Sequence, residues 1–236
     1  MAVSLLCFDY DGTLIDNTIA SVEALRAATH ILYEASLRAS LVAEEENFKN
    51  FFNTIYNTCL NLEKESFYDR SMWWKEALSK MGIGLPLEVL RAATIIYWKT
   101  YSILQRPYPE TYYVLSYLKK KGYKIAIITD TDGAIGLKRL RIKHVSIEPF
   151  IDSIIVAGDD VPYKKPHPLP FAEICRLLST SPRETVYVGD VPEKDVRGIL
   201  ELGGRAFIID RRGSRLWKSN DDVVYIRDLK DLIYFF

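Results

Sequence analysis

The sequence predicts an α/β fold: a parallel sheet flanked by helices, with a small helical domain inserted near its start. Three observations carry this reading. A short apolar run, residues 3–8, ends in Asp9-Tyr10-Asp11-Gly12-Thr13. Two later runs end the same way, residues 124–128 in Thr129-Asp130-Thr131-Asp132-Gly133 and residues 185–188 in Gly189-Asp190. Between the first and second runs lies an interval, residues 16–104, too long for a connection and patterned at helical spacing.

The first run is near-continuously apolar, as expected of a parallel strand buried on both faces, and ligand sites of open α/β sheets form at the carboxyl ends of such strands. Asp9 and Asp11 therefore fall at a site. In the interval, apolar residues recur helically at Leu25, Ala28 and Leu32, at Trp74, Leu78 and Met81, and at Leu90, Ala93, Tyr97 and Tyr101. The spacing predicts a bundle of about four helices, with Gly82, Gly84 and Pro86 marking a turn and Pro107 with Pro109 marking the return. The expected domains are residues 1–15 with 105–236, and the insertion 16–104.

After the return, helix and strand alternate. A helix over 112–121 is stopped by Gly122, which suits a helix C-cap, and a strand over 124–128 follows. Then come a helix over 134–140, a strand over 153–157, a helix over 169–178, the strand 185–188, a helix reaching residue 202 and a strand over 205–209. Such alternation implies right-handed crossovers and a parallel sheet.

Composition narrows the function. The 236 residues are 48% hydrophobic and 26% charged, which is globular. With 31 basic and 31 acidic residues, nothing draws the chain to nucleic acid or an anionic membrane. Cys7, Cys59 and Cys175 lack the spacing of a zinc site or disulfide framework and read as core residues. His30, His144 and His167 lack metal-ligand spacing and read as structural. No signal-peptide pattern opens the sequence and no apolar run reaches membrane-spanning length, so a cytoplasmic protein is expected, as a monomer or homodimer.

Taken in order, Asp9-x-Asp11 at the first strand, Thr129 at the second, Lys165 before Pro166, and Gly189-Asp190 with Asp195 beyond resemble the haloacid dehalogenase superfamily of aspartyl phosphotransferases. The match spans nearly the whole chain. The resemblance implies a Rossmann-like core, with the insertion as a helical cap. It also implies Asp9 as nucleophile and Asp11 as general acid and base. Thr129 and Lys165 would bind phosphoryl oxygens. Mg²⁺ would be held by Asp9, the backbone carbonyl of Asp11 and Asp190, with Asp195 a ligand, directly or through water, or a partner orienting Lys165. The chemistry suits phosphate esters, whose unaided hydrolysis is slow enough that enzymatic accelerations reach ~10²¹. A covalent intermediate divides the reaction, and positive charge answers that of the phosphoryl group.

The expected function is hydrolysis of a small phosphorylated metabolite by a Mg²⁺-dependent phosphatase through an aspartyl-phosphate. Arg70 and Trp73 are candidate specificity contacts in the cap. Two alternatives stay open: a metal-independent 2-haloacid dehalogenase, against which Asp11 argues because that branch typically replaces the second acid, and a phosphomutase of the same superfamily. A binding protein that merely keeps the fold would be expected to lack one of Asp9, Asp11, Lys165 or Asp190, and all are intact. The chain departs from the pattern after Asp190, where Val191 and Pro192 stand in place of the frequent Ser or Thr. Asp130, Asp132, Asp159 and Asp160 read as helix starts or loop acids.

Overall fold

The computed structural model describes residues 2–42, 47–65, 67–211, 213 and 222–236. The described chain divides into two compact units, one of Met1–Asp16, Arg106–Thr131 and Ile135–Phe236, the other of Asn17–Gln105 with Asp132–Ala134.

The first unit is built on a six-stranded sheet. Its strands are β1 (Leu5–Phe8), β4 (Lys124–Asp130), β5 (Ser153–Ala157), β6 (Thr185–Gly189), β7 (Arg205–Ile209) and β8 (Val223–Ile226), and every neighbouring pair is parallel. The order β5-β4-β1-β6-β7-β8 places β1 where the winding reverses. In a doubly wound sheet the crevice at that reversal is where ligands bind.

Alternation along the strands sends side chains to both faces, and both are covered. Leu6, Phe8, Ile125, Ile127, Val186 and Val188 pack with Val114, Leu115 and Leu118 of α5 (Thr111–Lys120) and with Leu229 and Leu232 near the C-terminus. Leu5, Cys7, Ala126, Ile128 and Tyr187 pack instead with Phe171, Ile174 and Cys175 of α7 (Leu169–Leu177). Double coverage is why β1 reads Leu-Leu-Cys-Phe without a polar residue, each of the four 0% exposed. Truncating such a residue, Phe8→Ala for instance, costs about 3–5 kcal/mol.

A short antiparallel ribbon, β2 (Ile15–Asp16) against β3 (Arg106–Pro107), marks where the chain leaves this unit and returns. The ribbon and β8 lie outside the elements expected from sequence. The expected helix over 134–140 is α6 (Leu137–His144), because Gly136 adopts φ +82° as its N-cap and delays the start. The expected helix to residue 202 is two short ones, α8 (Pro192–Asp195) and α9 (Arg197–Glu201).

The second unit holds α1 (Thr18–Arg38), α2 (Phe48–Lys64), α3 (Arg70–Ser79) and α4 (Leu87–Leu104). Asn47 and Asp69 cap α2 and α3 by accepting from backbone N–H groups of the first turn. The predicted stripes are buried at Leu25, Ala28 and Leu32 on α1, Trp74 and Leu78 on α3, and Leu90, Ala93, Tyr97 and Tyr101 on α4, whereas Met81, expected to continue the α3 stripe, falls past the end of that helix and is half-buried. Among the described residues no helix is long and apolar enough to cross a membrane. The three cysteines are buried and unbridged.

Candidate active site

Four segments converge at the carboxyl end of β1. Asp9 follows β1 directly, and its backbone N–H donates to Val188 of β6 at 2.8 Å. Thr129 lies near the end of β4, 2% exposed. Lys165 comes from the loop between β5 and α7, with a cis peptide to Pro166, and Asp190 follows β6. Carboxylate oxygens of Asp9, Asp190 and Asp195 all lie within 4.8 Å of one another.

Lys165 is the hub. Its ammonium donates to Asp195 Oδ1 at 2.7 Å, Asp9 Oδ1 at 2.8 Å and the Tyr187 hydroxyl at 2.8 Å. Three donors meet three acceptors, so the buried cation is saturated. Burial alone would depress the lysine, but Asp195 and Asp9 push it well above its ordinary value, and it stays charged. Asp195, 0% exposed, uses its other oxygen to accept from the backbone N–H groups of Asp190 and Val191 at 3.1 and 2.9 Å. Of the alternatives raised for this acid, the structure displays contact with Lys165.

Glycine permits the close approach of these groups. A Cβ at Gly12, whose φ is +82°, would overlap the Asp190 carboxylate, and one at Gly189 would overlap that of Asp195. Thr13 adds a 3.3 Å hydrogen bond to Asp190 Oδ1. Burial, then the charges of Asp9 and Asp195, push the Asp190 carboxyl up to about 8. Burial likewise raises Asp9, with Asp195 and Asp11 adding to it against the pull of Lys165. Clustered carboxylates of this kind are a hard oxygen donor set suited to Mg²⁺. Asp9 and Asp190 offer it oxygens, and Asp195, whose two oxygens accept from Lys165 and from backbone N–H groups, stands beside them.

Asp11 is held apart from that hub. Lys138 Nζ donates to its Oδ2 at 2.5 Å, and Arg141 donates to Oδ1 at 2.5 Å and to Oδ2 at 3.3 Å. Both cations are buried on one face of α6, and Tyr10 supports them by donating from its hydroxyl to the Arg141 carbonyl at 3.0 Å. Burial would raise Asp11, but Arg141 and Lys138 outweigh it and hold the carboxyl well below the usual carboxylate range. Sequence reasoning missed both cations. Their signal was two charges three residues apart beside Ile142, on the stripe of α6 that faces the core.

Asp130 differs from its reading as a helix start or loop acid. Its Oδ1 accepts the backbone N–H of Lys165 at 2.9 Å. Asp159 accepts from Thr131 Oγ1 at 2.5 Å and from the backbone N–H of Gly136 at 3.0 Å, and Asp160 pairs with Arg139 at 2.6 Å.

Arg70 and Trp73 belong to the helical unit, both buried, with the guanidinium 3.5 Å above the Trp73 ring and 5.0 Å from that of Tyr97. Trp73 Nε1 donates to the Phe67 carbonyl at 2.7 Å. His30 stacks on Phe48 at 3.9 Å and His167 on Tyr163 at 4.0 Å, both packing roles.

The chain matches known proteins over most of its length. The model of the haloacid dehalogenase-like hydrolases matches residues 3–203. A glyceraldehyde 3-phosphate phosphatase of Methanopyrus kandleri is 27% identical over 225 residues, covering 94% of this chain and 91% of the relative. A phosphoglycolate phosphatase of Neisseria meningitidis is 29% identical over 189 residues, covering 80% of this chain and 72% of the relative. Among solved structures, a HAD phosphatase from Thermococcus onnurineus superposes with a TM-score of 0.68 at 26% identity, covering 100% of this chain and 97% of the other.

Proposed function

The chain belongs to the haloacid dehalogenase-like hydrolases, and we propose that within this family it is a Mg²⁺-dependent phosphatase that hydrolyses a small phosphorylated metabolite through an aspartyl-phosphate. The observation that carries the reading is the Lys165 ammonium bound to Asp9 at the switch point of the sheet, with Asp190 within coordinating reach of Asp9.

Asp9 attacks phosphorus in the first step and releases the phosphoryl group to water in the second, dividing a hard displacement into two easier ones. Lys165 exchanges its contact with Asp9 for a phosphoryl oxygen, and Thr129 offers a second hold, so charge spreading over the transferring group meets donors already in place. Bound Mg²⁺, held by Asp9, Asp190 and the backbone carbonyl of Asp11, would neutralise phosphoryl charge.

Asp11 supplies the proton chemistry. Gripped by Lys138 and Arg141 it is a carboxylate, hence an acceptor, which suits activating water in the second step. Donating a proton to the leaving oxygen in the first step requires the carboxyl to part from the two cations. Release of this cluster is thus one motion of the cycle.

Relatives named for glyceraldehyde 3-phosphate, phosphoglycolate and N-acylneuraminate 9-phosphate support a small phosphorylated metabolite as substrate. The helical insertion, residues 16–104, serves as the specificity-setting cap, with Arg70 and Trp73 as its contacts, and the enzyme works in the cytoplasm. Turnover of a panel of phosphorylated metabolites, including these three, with Mg²⁺ and with chelator, tests the reading. Phosphate release that disappears with chelator is expected. Metal-independent halide release from a 2-chloroacid without phosphate release would overturn it.

A further inference from the structure

Lys165 is held at both ends, and both holds lead to β4. At its backbone, the N–H donates to Asp130 Oδ1 at 2.9 Å, and Asp130 is the residue after Thr129. At its tip, the ammonium donates to the Tyr187 hydroxyl, whose own proton goes to the Ile128 carbonyl at 2.8 Å, the residue before Thr129. The proton on Tyr187 is thereby committed, so toward the lysine the phenol acts as acceptor.

Tyr187 stands on β6 and Ile128 on β4, with β1 between them. The ring crosses on the face that carries the small residues Cys7 and Ala126, edge-on to Phe171 with centroids 5.0 Å apart, and is 0% exposed. A phenylalanine would satisfy this packing. The hydroxyl is therefore present for the two hydrogen bonds.

We infer that Tyr187 and Asp130 are positioning residues that lock Lys165 to the strand end bearing Thr129, making the two phosphoryl-binding groups one rigid cradle. The inference rests on the phosphatase reading. When Lys165 gives up Asp9 for a phosphoryl oxygen, Tyr187 and Asp195 are the contacts that keep the ammonium in place. Tyr187 additionally ties it to Thr129 through one peptide unit.

The test uses the full-length protein, a phosphorylated substrate it turns over, and orthophosphate as competitive inhibitor. Tyr187→Phe and Asp130→Ala are each expected to lower kcat/KM and weaken orthophosphate inhibition by about tenfold or more, the worth of a hydrogen bond to a charged group or of the placement it secures. Asp130→Asn, which keeps an acceptor oxygen, is expected to recover most of the Asp130→Ala loss. In a Lys165→Met background neither Tyr187→Phe nor Asp130→Ala should lower kcat/KM further, because both act through the lysine. Wild-type orthophosphate inhibition in both variants, or an undiminished penalty in the Lys165→Met background, overturns the cradle while leaving the phosphatase reading intact. Wild-type turnover by Lys165→Met itself overturns both.

Discussion

The Asp190 carboxyl ties stability to pH and to metal in a way that can be measured on the folded protein without any substrate. Its folded value, about 8, lies about four pH units above the ordinary 3.8. A carboxyl with a raised folded pKa keeps its proton in the native chain through that window while the unfolded chain has lost it. Folding then takes up a proton, and stability falls as pH rises from about 4 to about 8. Asp9, also raised, acts in the same direction. From about pH 5 to about pH 8 the full effect is roughly 4 kcal/mol at 1.36 kcal/mol per unit. Asp190 is partly open to solvent, which screens the repulsion, and about half that figure is the working value. For a chain of this size, about 2 kcal/mol lowers Tm by roughly 4–8 °C. The assay is thermal unfolding at the two pH values, in chelator and in Mg²⁺. The metal-free protein should melt lower at the higher pH, and Mg²⁺ should raise Tm more there, where Asp190 no longer holds a proton against the cation. Asp190→Asn should flatten both dependences. A Mg²⁺ shift equal at the two pH values, or a pH slope unchanged in Asp190→Asn, would refute the reasoning.

Asp9→Asn and Asp11→Asn should each abolish phosphate release, scored by steady-state turnover. Asp11→Asn should also lower Tm, since it takes the shared anion from two buried cations. Arg141→Met, which leaves Asp11 with Lys138, should destabilise by about 3 kcal/mol, the lower end for breaking a buried pair. Denaturant titration reads this directly, and a change under about 0.5 kcal/mol, the range of ordinary surface substitutions, would mean that the fork adds nothing to stability. Gly189→Ala should cut kcat/KM by about a hundredfold, because the new methyl displaces the Asp195 carboxylate from Lys165. Near-native turnover would show that the Asp195 contact is dispensable.

The parts legible in the sequence are those whose signal is local. Asp9, Thr129 and Asp190 each follow an apolar run within a residue or two, so strand and site residue appear together. Lys165 is marked by the proline beside it. Lys138 and Arg141 carry no such label: they meet Asp11 across 127 and 130 residues. Starting the helix at 134 rather than 137 ended it before Arg141, hiding its buried charged stripe. The strand and loop settings of Tyr187 and Asp130 in the sequence say nothing of Lys165. In α2, Phe51, Ile55 and Cys59 are buried at four-residue spacing, a stripe legible in the sequence. Strand β8 is a four-residue edge strand with three residues only half-buried, too short to show a period.

The ribbon of β2 and β3 has a consequence for how such a molecule can be rebuilt. Ile15 lies opposite Pro107 and Asp16 opposite Arg106, so the backbone departs for the helical unit and comes back through neighbouring positions. The sheet thus sees the whole excursion as a loop whose two feet are already joined. Closure entropy grows only slowly with loop length, so exchanging the excursion for a longer, shorter or unrelated one changes little in the free energy of the sheet. The same scaffold can carry different modules at this point while the sheet and the residues at its strand ends are left as they were.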